Sequence, residues 1–270
     1  MVEEEGLSYY DFMAQMGVPY FHWGGLRSTD ELLSMCGVDS MKNVLFVGCG
    51  SGYTACYAAK NLGCRAVGID ISEVMIGKAR ERAQEMSLTD RVEFKAGDAY
   101  ELPFQDNRFD VVITEFVTMF LDPNPALREY IRVLKRGGFV GLNELYKSDQ
   151  IPQEAAALVA EAEKRLQEAI RLPFVMPTPS DWMRWLREAG LEDIRLREVE
   201  YTYSYGEYAE ALGGKIKLLK IMLRAIYHLL FNRRFRKRLL KVGKAKNVLM
   251  RNKETRKYVG AILCVGRKPA

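Results

Sequence analysis

From residue 42 onward the chain alternates short, β-branched apolar runs with helical repeats, and that alternation demands a parallel sheet whose crossover helices cover both faces. The runs are 43–48 (NVLFVG), 66–70 (AVGID), 92–96 (VEFKA), 109–115 (FDVVITE) and 138–144 (GFVGLNE), with helical segments over 51–62, 72–87 and 124–135 between them. Ser72 stands where an N-cap belongs, and Asn124-Pro125 reads as a cap followed by a proline in the first helical position. Lys135-Arg136-Gly137-Gly138 offers that last helix terminal cations and a glycine stop. Further on, a helix is expected over 152–171, then a proline-rich break, then a helix over 181–189 capped by Thr178 or Ser180 and ended by Gly190. Residues 193–204 and 257–266 alternate with the strand period.

Ahead of the sheet lies an aromatic cluster (Tyr9, Tyr10, Phe12, Tyr20, Phe21, His22, Trp23), and Ser28-x-x-Glu31 matches a capping box opening a helix with Leu32, Leu33 and Met35. Three regions are therefore expected: a helical cap or lid over 1–40, a core of 41–204 with 257–270, and an insert over 205–256. No internal repeat or low-complexity tract is present.

At 270 residues and 48% hydrophobic content the chain can bury a full core without staples. Its five cysteines form no C-x-x-C pair, and Cys36, Cys56 and Cys64 read as small buried hydrophobes in a reducing compartment. The N-terminus is acidic where a secretory signal would be basic, and no uncharged apolar run reaches the roughly 18 residues that a membrane span needs. A cytoplasmic location is expected. The formal charge of +5 conceals a split: residues 1–212 carry 22 basic and 34 acidic side chains, whereas residues 213–270 carry 18 basic and one acidic. Such asymmetry points the C-terminal segment at an anionic partner, a membrane surface or a nucleic acid.

The first strand runs directly into Gly48-Cys49-Gly50-Ser51-Gly52 and then a helix, a turn in which a ligand can approach the backbone closely. Asp70 ends the second strand about 20 residues on, where an acid accepts hydrogen bonds from ribose hydroxyls. Asp98 follows the third strand in Gly97-Asp98-Ala99, placed to accept from an adenine amino group. Tight turns also contain glycine for packing alone, and Asp70 could simply serve the helix beginning near Ser72.

Taken together, VLFVGCGSG, the acidic end of VGIDIS, GDAYELPFQDNRFDVVI and LREYIRVLKRGGFVGLNE resemble the class I S-adenosylmethionine-dependent methyltransferases over residues 41–145 and again at the two late strands. The resemblance implies a doubly wound, Rossmann-like α/β sheet of seven strands, mostly parallel, with the last strand antiparallel and the basic insert splitting the final hairpin. It implies that Gly48, Cys49, Gly50, Ser51 and Gly52 cradle the methionine part of S-adenosylmethionine. Asp70 with Ile71 would hold the ribose, Asp98 with Ala99 would contact the adenine, and S-adenosylhomocysteine would be the product.

A sulfonium methyl is already an excellent electrophile, so the chemistry needs alignment, desolvation and sometimes a base. Glu115, at the end of the fourth strand, serves as a candidate base or cofactor contact, and Glu144, ending the fifth, is a second candidate base. His22 is a third, within an aromatic segment that could fold over the pocket; Tyr9, Tyr10, Tyr20 and Trp23 could line an acceptor cavity or form ordinary core. No HExxH or metal-spaced His/Cys group occurs, so no metal is expected.

Within 215–231 the polar positions Lys217, Lys220, Arg224 and His228 recur three or four apart on an otherwise apolar helix, and 233–246 adds eight more cations. Three readings stay open: packing of the apolar face on the core, docking of 215–246 on an anionic membrane from its inner face, and contact with nucleic acid. The last is disfavoured by the scarcity of stacking aromatics. The expected activity is methylation of a small or lipophilic acceptor at carbon, oxygen or nitrogen, in a pattern similar to quinone, tocopherol and sterol methyltransferases. The alternatives are RNA or protein methylation using the basic insert, and a non-catalytic cofactor-binding scaffold. Oligomeric state is not legible.

Overall fold

The computed structural model describes residues 8–16, 22, 24–199 and 215–270. Its sheet runs β3-β2-β1-β4-β5-β7-β6, seven strands among the described residues. Strands β1 (Asn43–Val47), β2 (Arg65–Asp70), β3 (Val92–Ala96), β4 (Phe109–Glu115) and β5 (Leu134–Lys147) are parallel, whereas β7 (Val259–Arg267) runs antiparallel to both β5 and β6 (Glu192–Val199). The chain winds outward from β1 to β3 and then crosses back to β4. The connections that leave the C-terminal ends of β1 and β4 therefore diverge at a topological switch point, where open sheets of this kind bind ligands.

Side-chain alternation along β1 explains the two-sided core. Val44 and Phe46 face α2 (Gly25–Met35), α3 (Tyr53–Leu62) and α4 (Glu73–Glu85), packing with Leu32, Cys56, Ala79 and Ile113. Leu45 and Val47 face the opposite layer of α5 (Pro123–Val133) and α7 (Pro179–Glu188), with Leu127, Tyr130, Trp182 and Leu186. All five cysteines are free thiols, and Cys36, Cys56, Cys64 and Cys264 are buried.

Several local expectations hold: Ser72 caps α4 by accepting from the Met75 amide, and Thr178 forms a full capping box with Asp181. Others shift. Helix α5 is capped by Asp122, with Pro123 in its first turn, because the Asp122 carboxylate reaches the Asn124 amide while Asn124 itself lies inside the helix. Lys135-Arg136-Gly137-Gly138 belongs to β5, not to a helix end. Gly137, at φ 74°, lies in the stretch where the β4–β5 register is irregular and donates its N–H to the Lys268 carbonyl just past β7. Nor does Ser28 open a helix: α2 begins three residues earlier behind Gly24, and the Ser28 hydroxyl donates to the Gly25 carbonyl from within the first turn. Residues 200–204 of the expected 193–204 strand lie outside the described residues.

Beyond the sheet's C-terminal edge sit α1 (Tyr9–Met16), α6 (Gln153–Ile170), α8 (Lys215–Phe231) and α9 (Arg233–Met250). The two halves of the basic insert differ. Helix α9 packs on α6 through Val242, Ala245 and Leu249 against Val159, Ala162, Leu166 and Ala169. Helix α8 is held more lightly, by Ala225 and Leu229 near Phe12, Met16 and Phe235. No helix among the described residues is long and apolar enough to cross a membrane.

Candidate active site

The C-terminal ends of β1, β2, β3 and β4 and the N-termini of α3 and α4 surround a cavity of about 480 Å³, roofed in part by α1. Its floor is the glycine turn. Gly48 (φ 64°) passes so close to β4's exit loop that an added Cβ would lie 2.3 Å from Val117 Cγ2, whereas at Gly50 (φ 52°) the nearest heavy atom would be Met75 Sδ at 4.0 Å. One glycine is thus required by packing, and the other leaves backbone open to the cavity.

Asp70 lies beside that opening. Its two carboxylate oxygens accept from the Gly50 amide at 2.8 Å and the Ser72 amide at 3.0 Å, tying the β2 exit to the β1 exit. Burial raises its pKa, and the two backbone donors act in the opposite direction. Spare lone pairs on both oxygens remain available to hydroxyl donors. Asp98 accepts from the Tyr100 amide at 2.9 Å and, with Ala99, lines the far end of the cavity; Cys49 and Ser51 line it too, and the half-open rim carries Ile71, 77% exposed. The Ser51 carbonyl is fixed from outside by Arg82 Nε at 2.9 Å.

The opposite half is apolar, with Phe116, Val117, Phe120, Leu121 and Leu172 beside Tyr10. Between the halves stands a polar knot. Glu115 Oε1 accepts from the Thr29 hydroxyl at 2.7 Å and Oε2 from the Thr54 hydroxyl at 2.7 Å, while Asn143 Nδ2 approaches Oε1 at 3.4 Å. His22 Nε2 lies 3.7 Å from the same Oε1, and its Nδ1 lies 3.4 Å from Asn143 Nδ2. Two candidates separated by 93 positions in the chain thus meet in one cavity.

Glu144 does not. It is fully buried, lies outside the cavity lining, and accepts from the Val117, Thr118 and Met119 amides and the Thr114 hydroxyl. Burial pushes its pKa up to about 7 against those donors. Its work is to hold the loop Val117–Met119 whose first residue presses on Gly48. Tyr9 is also outside, buried against Met119 and Leu145 on the far side of α1. Tyr20 and Trp23 lie outside the described residues.

Sequence reasoning missed Thr29, Thr54 and Asn143, which nothing local distinguishes from ordinary helix and strand residues. It also missed Asp11, which lines the cavity and accepts from the Ser72 hydroxyl. A signal was present there: Ser8-x-x-Asp11 is a capping box, with the Asp11 amide donating to Ser8 Oγ at 3.0 Å and the Ser8 amide to Asp11 Oδ2 at 3.2 Å.

A glycine turn, two strand-end carboxylates and a switch-point cavity define an α/β protein that binds a nucleoside-bearing cofactor. Residues 45–142 match the methyltransferase domain family. Over 191 residues the chain is 34% identical to the 27-O-demethylrifamycin SV methyltransferase of Amycolatopsis mediterranei, covering 70% of this chain and 68% of that protein. It is also 27% identical over 233 residues to an uncharacterized protein of Haemophilus influenzae, covering 84% of this chain and 90% of that one. Among solved structures the [4+2]-cyclase SpnF superposes with a TM-score of 0.73 at 23% identity, covering 97% of this chain and 94% of that chain, a likeness of fold. The chain belongs to the class I S-adenosylmethionine-dependent methyltransferases, and S-adenosylmethionine is its cofactor.

Proposed function

We propose that the protein methylates a small, lipophilic acceptor, and that its cavity divides into a cofactor half and an acceptor half at the His22–Glu115 pair. Bound S-adenosylmethionine supplies an electrophilic sulfonium methyl group. The residues present suit it: open backbone at Gly50, acceptor carboxylates at Asp70 and Asp98 for hydroxyl and amino hydrogens, and a buried anion at Glu115 for an ammonium group. The Thr29 and Thr54 hydroxyls both donate to Glu115, and Thr54 stands at the start of α3 beside the glycine turn. That is where the methionine end belongs.

His22 is the better candidate for the base. Glu115, Thr29 and Asn143 fix its ring where it closes the apolar half. Proton removal by an oriented imidazole contributes about 10²- to 10⁴-fold to such reactions. The proton that the acceptor gives up as it gains the methyl group would pass to the His22–Glu115 pair. The apolar character of Phe116, Phe120, Leu121 and Leu172 supports a lipophilic acceptor, as do relatives named as a 27-O-demethylrifamycin SV methyltransferase and a probable tocopherol O-methyltransferase.

The same reading places the protein peripherally on an anionic membrane surface, with residues 215–246 as the contact. The outward turn of α8's apolar residues supports it, Leu219, Leu223, Ile226 and Leu230 each being about half or more exposed.

Incubation with methyl-labelled S-adenosylmethionine and a cell extract, followed by counting of the organic, small-molecule, RNA and protein fractions, tests the acceptor class. Label in the organic or small-molecule fraction is expected. Label confined to RNA or protein overturns the reading.

A further inference from the structure

The apolar side of α1 sets how that helix faces the active site. Tyr9, Phe12 and Met16 recur at helical spacing and are buried, Tyr9 against Met119 and Leu145, Phe12 and Met16 against Phe235 in the first turn of α9. The Phe12 and Phe235 ring centroids lie 4.2 Å apart. Tyr10 and Asp11 fall on the opposite side of the helix from this anchor, and both line the active-site cavity. They serve different halves of it. Tyr10 meets Phe120 edge to face in the apolar half, ring centroids 5.8 Å apart, whereas Asp11 reaches the exit of β2.

The two oxygens of Asp11 have separate partners. Oδ2 accepts from the Ser8 amide at 3.2 Å, which completes the capping box of its own helix. Oδ1 accepts from the Ser72 hydroxyl, 61 positions along the chain. The capping box asks nothing of Oδ1, so this second bond belongs to the cavity. Ser72 is shared between two acids: its amide donates to Asp70 Oδ1 at 3.0 Å while its hydroxyl donates to Asp11, and Oγ in turn accepts from the Met75 amide at 3.1 Å. One residue thus links the carboxylates of Asp70 and Asp11. Their nearness shows in the Asp70 carboxyl, which burial raises most, the Ser72 and Gly50 amides lower, and the Asp11 charge raises further.

A ribose presents two neighbouring hydroxyl groups, each a donor. Both Asp70 oxygens already hold a backbone amide, and each Asp11 oxygen likewise keeps lone-pair capacity beyond its one donor. Two carboxylates joined through one serine suit such a pair of hydroxyls better than one carboxylate does, because each hydroxyl then meets its own charged acceptor.

We propose that Asp11 is a second carboxylate for the cofactor's ribose, accepting from one hydroxyl while Asp70 accepts from the other. This rests on the placement of the ribose at Asp70 in the function proposed above, and adds to it a binding residue supplied from outside the sheet. The cofactor site is then complete only while α1 is seated.

The test is titration calorimetry of the full chain and its Asp11→Asn variant with S-adenosylhomocysteine and with the 2′-deoxy and 3′-deoxy analogues of that compound. The wild type should bind at least one analogue about tenfold more weakly, the loss of one hydrogen bond to a charged acceptor. Asp11→Asn should bind S-adenosylhomocysteine about tenfold more weakly than the wild type, yet lose clearly less on the analogue lacking the hydroxyl that Asp11 holds, since two removals of one contact do not add. Equal loss on all three ligands overturns the proposal, because a loosened α1 weakens each alike. So does an affinity of Asp11→Asn for S-adenosylhomocysteine within about twofold of the wild type. Asp11→Glu, which keeps the carboxylate, should recover part of the discrimination among the ligands, and no recovery overturns the assignment however stable Asp11→Asn proves on melting. A wild type that binds all three ligands equally overturns the placement of the ribose at Asp70 as well.

Discussion

The Nε2 atom of His22 stands 3.7 Å from Oε1 of Glu115, although one residue precedes the sheet and the other ends its fourth strand. Thr29, Thr54 and Asn143 supply the surrounding donors, from α2, α3 and β5. This knot needs the whole fold to assemble. On the proposed function it separates two roles that side-chain types alone leave merged, a carboxylate for the cofactor and a base for the acceptor.

The separation is measurable. Glu115→Gln should weaken S-adenosylhomocysteine binding by about 10- to 100-fold, the cost of a charge-assisted hydrogen bond of about 1.5–3 kcal/mol. His22→Asn should leave that affinity within about threefold and lower kcat about 10²-fold or more. Titration calorimetry and steady-state kinetics check the pair; an affinity loss in His22→Asn matching that of Glu115→Gln would refute the division.

Asp70→Ala should abolish measurable cofactor binding and also destabilise the fold by about 1–3 kcal/mol, because the Gly50 and Ser72 amides lose their shared acceptor. Denaturant unfolding and calorimetry on one preparation distinguish the two losses. Cofactor affinity that survives in a folded Asp70→Ala protein would remove Asp70 from the site.

The glycine turn predicts opposite phenotypes two residues apart. Gly48→Ala drives a methyl group into Val117 and should cost folding stability by about 2 kcal/mol or more, with partial rescue by Val117→Ala. Gly50→Ala meets open space, so it should lose only the roughly 1 kcal/mol of a left-handed non-glycine residue while blocking cofactor entry. Melting curves and binding isotherms recorded for both proteins should show the crossover, and parallel behaviour would deny that Gly50 faces the ligand.

Glu144 predicts a pH dependence. Its folded pKa, about 7, lies above its ordinary value of 4.5, so between those values the native state holds a proton that the unfolded chain has released. The stability that this residue contributes is therefore fully present below about pH 4.5 and falls as pH rises to about 7, by on the order of 3 kcal/mol. Glu144→Gln lacks the titration and, with its oxygen kept on the Val117 and Thr118 amides, sets a donor amide against the Met119 N–H. It should be the less stable protein at pH 5, with the gap narrowing by pH 8. A gap that stays constant or widens would show that the carboxyl is not raised.

Much of the architecture was legible because its determinants are local. Alternating apolar strands, the glycine turn, Asp70, the Ser72 cap and the Thr178 box each declare themselves within a few residues. Where two local signals competed, the sequence was ambiguous: Asp122-Pro123 and Asn124-Pro125 are both plausible helix starts, and only the first leaves a carboxylate free to reach the Asn124 amide. Ser28 failed as a cap because Gly24, in the left-handed region, lets α2 start earlier, and burial then sets the Ser28 hydroxyl 3.1 Å from Asn143.

What the sequence by itself determined, then, was the class of sheet, the glycine turn that floors the cavity and the split of charge toward the C-terminus, since periodicity, turn chemistry and composition are properties of neighbouring residues. Only the tertiary structure decided that Glu115 joins His22 while Glu144 seals a loop, and that α9 packs inward while α8 shows its apolar face outward. Both outcomes depend on which surfaces the completed sheet leaves to be covered. A side chain's role follows from the partners that distant segments bring to it, and contact between distant segments leaves no periodicity in the chain to read.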